Sequence, residues 1–154
     1  MILIRTQAAD AAAEAKQLSQ LGLASITVQD PESLGALRVA LADLRGRDDV
    51  DPARIGVIAE GPGAALAAKL LAREPVITAA VLGNAPAEAG APLSTLQGAR
   101  VLLQRGIDTG KATEAVAQRL VTKAPVGTLL YQHPSLRDTA ATRERDDWLR
   151  DELS

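Results

Sequence analysis

The residues of this 154-residue chain that could do chemistry are few. Its one histidine, His133, and Asp108, in a turn just past an apolar strand, have the types needed for an acid–base pair that activates a nucleophile. Asp108 stands where ligand sites of open parallel sheets gather, beyond the C-terminal end of a strand. It equally suits capping of the following helix, and His133 equally suits a half-exposed loop before Pro134. Two serines have a route to the same place, Ser94 in an irregular loop and Ser135 just after His133. Neither lies on a sharp strand-to-helix turn that would expose and activate it. That turn is elsewhere, at Glu60-Gly61-Pro62-Gly63, between an apolar run and an alanine-rich helix. Its bend carries no side chain. The N–H groups of Gly61, Gly63 and Ala64 at a helix start could cradle an anion, against which stand Glu60 and the lack of a Walker lysine. Glycine takes such a bend without a Cβ penalty and proline suits the first helical position, so a purely structural turn explains the same residues.

The elements that must position these residues alternate along the chain. Apolar or β-branched runs predict strands over Ile2–Thr6, Leu23–Gln29, Ile55–Ala59, Val76–Leu82, Ala99–Gln104 and Val126–Tyr131. Helical spacing predicts helices over Ala8–Leu21, from Pro31 (with Asp30 as N-cap) to about Arg45, over Pro62–Arg73, over Lys111–Lys123 and from about Thr139 to Leu153. The stretch Asn84–Gly98, rich in Ala, Pro and Gly, has no period and reads as a loop. Strands interleaved with helices imply right-handed βαβ units and a parallel sheet covered on both faces. No repeat, low-complexity tract or linker interrupts the pattern, so 1–154 is expected to be a single domain.

Composition narrows the function. Apolar residues make up 47% of the chain, but Tyr131 and Trp148 are the only aromatics and phenylalanine is absent. Layers must pack through Leu, Val, Ile and Ala, and an aromatic cleft or base-stacking platform is not expected. A net charge of −2, with no basic cluster, argues against nucleic acid as a partner. Without cysteine, and with one histidine, neither a thiolate nor a histidine-rich metal site can form, and no cofactor is expected. Apolar runs fall far short of a membrane span. Met1-Ile2-Leu3-Ile4 starts as a strand without a leader, which makes the cytoplasm the expected location.

The whole pattern resembles the α/β-hydrolase superfamily, and within it the dienelactone-hydrolase-like proteins. The resemblance is carried by Leu44-Arg45-Gly46-Arg47-Asp48-Asp49-Val50-Asp51-Pro52-Ala53-Arg54-Ile55-Gly56-Val57, similar to the lead-in to the nucleophile strand. It is carried also by Arg100-Val101-Leu102-Leu103-Gln104-Arg105-Gly106-Ile107-Asp108, similar to the strand that ends in the catalytic acid. It implies an α/β fold of three layers, α/β/α, around a six-stranded, mostly parallel sheet. This would be a minimal core without a lid, lacking the family's first two strands and leaving Leu23–Gln29 at one edge. By position it places Gly61 where the nucleophile would be, Asp108 as the acid and His133 as the base, in the chain order this fold uses. Gln7, Glu60 and Pro62 would border the cleft, with Arg5-Thr6-Gln7 in place of the family's histidine-glycine pair at the oxyanion hole.

Two parts of the chemistry are then missing from one turn. Gly61 offers no nucleophile, and Pro62 has no N–H to give an oxyanion. The expected function is therefore that of a hydrolase-like protein without hydrolytic activity, a pseudoenzyme that binds a small molecule or serves as a partner or assembly domain. Self-association is expected through an edge strand or the C-terminal helix. Two other readings stay open. One is an ester or lactone hydrolase using a displaced nucleophile, or a water activated by His133 with Asp108. The other is a flavodoxin-like nucleotide-binding module with an anion over Gly61–Ala64.

Overall fold

In the computed structural model the described residues are 2–5, 11–29 and 33–154, with side chains described for 12–28 and 33–154. Strand and helix alternate. The strands are β1 (Ile2–Arg5), β2 (Ile26–Gln29), β3 (Ile55–Glu60), β4 (Ile77–Gly83), β5 (Arg100–Gly106) and β6 (Leu129–His133). The helices are α1 (Ala11–Gln20), α2 (Leu34–Arg45), α3 (Pro62–Leu71), the short α4 (Gly90–Leu93), α5 (Lys111–Lys123) and α6 (Thr139–Glu152). β3 to β6 pair in sequence order, and β1 and β2 continue beyond β3, giving β2-β1-β3-β4-β5-β6 with every pairing parallel. Parallel pairing brings all C-terminal strand ends to one edge of the sheet, and the candidate residues with them.

Alternation along the strands builds two cores. Val57, Ala59, Ala80, Leu82, Val101 and Leu103 face α2, α3, α4 and α5. The residues between them, Ile58, Ala79, Val81 and Leu102, face Leu18 of α1 and Leu149 and Leu153 beside α6. The helices therefore lie on both faces, in three layers. Packing without phenylalanine is achieved by close approach: Ala64, Ala67 and Ala68 of α3 are fully buried against the sheet. No helix among the described residues is long and apolar enough to cross a membrane.

The structure departs from the predicted boundaries for local reasons. The cap of α2 is Ser33, whose Oγ accepts from the Ala36 N–H at 3.4 Å; Asp30 and Pro31 lie outside the described residues, as do Thr6 to Asp10. The stretch after β4 is not all loop, since a 3-10 turn at Ala87–Ala89 runs into α4 and buries Ala89 and Leu93. β6 begins at Leu129 rather than Val126 because Pro125–Thr128 closes a turn (Thr128 N–H to Pro125 O, 3.1 Å) with Gly127 at φ 90°. His133 consequently belongs to the strand, opposite Gly106 of β5.

The lead-in to β3 is stiffened by Asp51. Its carboxylate accepts from the Ala53 N–H at 2.9 Å and from Arg54 Nε at 2.7 Å, and these two bonds, the backbone one first, hold its pKa below the ordinary 3.8. A carboxyl with a depressed folded pKa stabilises the fold above its unfolded value, and that contribution is lost as pH falls through the folded value. Asp51→Asn is therefore expected to leave a smaller drop in stability between about pH 4 and pH 2 than the unaltered protein shows. Urea melts at the two pH values measure it.

Candidate functional site

β3 ends at Glu60 and the chain turns at Gly61 into α3. Gly61 is the N-cap, with φ 57° and ψ −133°, a region that disfavours every residue with a Cβ. Its N–H is held by the Gly83 carbonyl at 2.9 Å, and its own carbonyl accepts from the Ala64 N–H at 3.0 Å. Among the described residues nothing lies within 4 Å of where its Cβ would stand. Pro62 is the first helical residue.

The neighbouring strand ends are tied to one another by Asn84, which sequence reasoning missed. Asn84 itself has φ 44°, uncommon outside glycine but tolerated by asparagine. Its backbone N–H reaches the Gln104 carbonyl at 2.8 Å, its Oδ1 accepts from the Gly106 N–H at 2.9 Å, and its Nδ2 donates to Glu60 Oε1 at 3.4 Å. One side chain thus links the ends of β3 and β5 across β4. The only hint in the sequence was an asparagine following a glycine at a strand end.

Asp108 lies in a 3-10 turn, Ile107–Thr109, directly after β5. It is exposed, and its N–H is bound by the Pro134 carbonyl at 3.1 Å. Its carboxylate leans over Gly106, where a methyl group would collide with it, and it makes no hydrogen bond or ion pair among the described residues. The expected pairing with His133 is not made. Alternation along β6 sends Leu130 to the α5 side and His133 to the other face, where its Nε2 meets Glu144 Oε2 of α6 at 2.6 Å. Nothing in the sequence ties Glu144 to His133, and only the packing of α6 on the sheet brings them together.

The loop between β6 and α6 then folds back over the strand ends. Leu136 reaches so far that a Cβ on Gly83 would stand 2.8 Å from its Cδ1, and its N–H approaches the corresponding position on Gly106 at 3.4 Å. Ser135, in this loop, accepts the Arg137 N–H at 3.3 Å. Ser94 caps α4 and donates to the Ala91 carbonyl at 2.7 Å. Of the cleft residues expected from sequence, Glu60 and Pro62 flank the bend, whereas Gln7 lies outside the described residues. Three cavities are lined by described residues, two of them away from the bend. One of about 280 Å³ is at the opposite sheet edge beside Leu23, Asp51 and Leu153; one of about 380 Å³ lies between α1 and α6; one of about 10 Å³ is beneath Asn84. No group of acidic or histidine residues able to hold a metal ion occurs among the described residues.

No family model matches the sequence, and no curated protein matches it. Solved structures do match. A dienelactone hydrolase from Anabaena variabilis is 17% identical with a TM-score of 0.78, over 99% of this chain and 87% of that one. The esterase domain of a Rhodothermus marinus protein is 14% identical with a TM-score of 0.76, over 99% and 87%. A zinc-bound, cold-adapted esterase from an Arctic intertidal metagenomic library is 12% identical with a TM-score of 0.78, over 99% and 82%. The fold is that of an α/β-hydrolase, dienelactone-hydrolase-like. In an α/β-hydrolase the bend after such a strand is the nucleophile elbow, and the residue after the nucleophile donates its N–H to the oxyanion hole. The bend after β3 in this chain is Gly61-Pro62. At that bend Gly61 carries no side chain and Pro62 no N–H.

Proposed function

We propose that this α/β-hydrolase-like domain carries out no acyl transfer at its elbow and works as a binding or assembly domain. The observation that carries the reading is Gly61 in the elbow's strained conformation with proline behind it. An oxyanion-hole donor is worth about 10²–10³ in rate, and Pro62 has none to offer. The placement of Leu136 over Gly83 favours assembly over small-molecule binding, because the loop fills space along the strand ends. Gly61, Asp108 and His133 are read as vestiges of the nucleophile, acid and base positions.

A second reading is favoured by one distance. His133, 2.6 Å from Glu144, has an orienting carboxylate, as a general base requires. A water activated there, on the same side as Asp108, would make a slow ester or lactone hydrolase.

One experiment separates the two. A serine-reactive fluorophosphonate probe and a panel of activated esters are applied to the unaltered protein, to Gly61→Ser and to His133→Gln. The expected result is no labelling and no turnover above background for the unaltered chain. Gly61→Ser should fold, since its Cβ meets no described residue, at a cost of about 1–3 kcal/mol for its backbone conformation. It should take up the probe slowly at most and turn nothing over. Labelling of the unaltered chain at Ser94 or Ser135 overturns the proposal, and ester turnover that disappears in His133→Gln establishes the second reading instead.

A further inference from the structure

β2 and β6 are the two edges of the sheet, and β6 is the one bordered by exposed large apolar side chains, Val126, Leu129 and Tyr131. Among the described residues β6 pairs with β5 alone, so its far side carries unpaired N–H and C=O groups. Devices that keep an edge from pairing are a charge on the strand, a proline within it or a bulge. Leu129-Leu130-Tyr131-Gln132-His133 has neither a lysine, an acidic residue nor a proline, and its register with β5 is unbroken. α6 lies against β4 and β5, which leaves Leu129 at 38% and Tyr131 at 39% exposure on the face it only partly covers. Val126, just before the strand, is fully exposed.

Both aromatics of the chain border this face. On α6, Glu144 contacts His133 of β6 and Glu152 contacts Arg100 of β5 at 3.6 Å. Trp148 stands midway between them at i,i+4 spacing, and so on the side of the helix that overlooks β5 and β6. It is half-buried and packs against the second core. Tyr131, one of the two aromatics of the chain, is thus exposed on an unpaired edge strand, and the other stands on the helix beside it; Tyr and Trp are enriched at interfaces.

We infer that β6 is the dimer interface of this protein, pairing antiparallel with β6 of a second copy about a twofold axis near Tyr131, so that the two sheets become one. The inference deepens the assembly reading above by naming the partner. Charge permits a second copy, because the strand holds no Lys, Arg, Asp or Glu. The axis sets Leu129 of one copy opposite His133 of the other, Leu130 opposite Gln132, and Tyr131 opposite Tyr131, with no like charges facing. Both acidic residues of the overlooking helix stripe are already matched, Glu144 by His133 and Glu152 by Arg100. A twofold contact must be self-complementary, and this strand satisfies that. Leu130 and Gln132 are not needed by the partner, since Leu130 packs in the first core and Gln132 Oε1 accepts from Arg105 at 2.8 Å.

The test is the mass in solution from about 1 μM to 1 mM, with Trp148 emission followed over the same range. The expected result is a concentration-dependent rise from 16.0 kDa to twice that mass, with a matching change in the emission of the single tryptophan. Tyr131→Lys should weaken the dimer by about tenfold or more while keeping the circular dichroism of the unaltered protein. Because the chain has no cysteine, Tyr131→Cys gives an independent readout. Opposed Cα atoms of an antiparallel pair, about 4.5–5.5 Å apart, are within disulfide reach. It should cross-link at least tenfold faster than Val39→Cys, on the exposed face of α2. A monomer at every concentration, a dimer indifferent to Tyr131→Lys, or equal cross-linking from both cysteines each overturns the inference. Its failure is distinct from that of the assembly reading, which falls to probe labelling or ester turnover whatever the oligomeric state.

Discussion

Arg145→Leu is expected to destabilise the protein by about 3–5 kcal/mol. Arg145 is 8% exposed and sits between α6 and α1, where its Nη1 meets Glu14 Oε1 and its Nε donates to Asp146 Oδ1 at 2.8 Å. Gln17 of α1 donates to the other oxygen of Asp146, which is itself 4% exposed. The Asp146 carboxylate thus has this guanidinium as its cation in a place water scarcely reaches. Removing that cation leaves uncompensated buried charge, and the cost comes from there rather than from the lost attraction. The contrast that identifies the cause is a triple variant, Glu14→Met with Arg145→Leu and Asp146→Leu. Removing the whole group should be near neutral or even stabilising, because no charge is then stranded. Chemical denaturation of the single and triple variants measures both. A single variant that loses less than about 1 kcal/mol would mean the cluster is solvated and its charges already screened.

The second large effect is expected at Arg105, which the sequence gives no reason to single out. Its guanidinium is 4% exposed near the end of β5 and lies among neutral acceptors: Gln132 Oε1 and the Gly110 carbonyl, both at 2.8 Å, and Thr113 Oγ1 at 3.4 Å. The nearest carboxylate, Glu114, is 4.0 Å away and half exposed, so hydrogen bonds rather than an ion pair hold this cation. Arg105→Met keeps much of the stem and leaves the Gly110 carbonyl and Gln132 without their donor. Bonds to charged groups contribute about 1.5–3 kcal/mol each and stranded acceptors cost about 1–3, so a loss of about 2–4 kcal/mol is expected. The effect should also be local. Gly110 closes the turn that holds Asp108, so the Asp108 amide, bonded to Pro134, should exchange its hydrogen faster in the variant. Global destabilisation with uniformly accelerated exchange would deny Arg105 any part in fixing the Asp108 turn.

The comparison of sequence with structure divides along the range of the interactions. The rhythm of strands and helices, the bend at Gly61 and its lack of a side chain are written in neighbouring residues. Periods of two and 3.6, a glycine where a Cβ is disfavoured and a proline at a helix start are local chemistry. Ile55 to Ala68 could therefore be read directly, and strand–helix alternation supplied the parallel sheet.

Pairings between distant elements could not be read in the same way. β6 runs on past Tyr131 to His133, beside Gly106 of β5, and alternation along it turns the histidine ring toward α6. The partner on that face, Glu144, is set by where α6 packs, and it lies eleven residues further along the chain. Asn84, Arg105, Arg145 and Leu136 acquire their roles from the rotation of helices over the sheet and the return of one loop across it. Those depend on how the layers settle in three dimensions, which no window of neighbouring residues encodes.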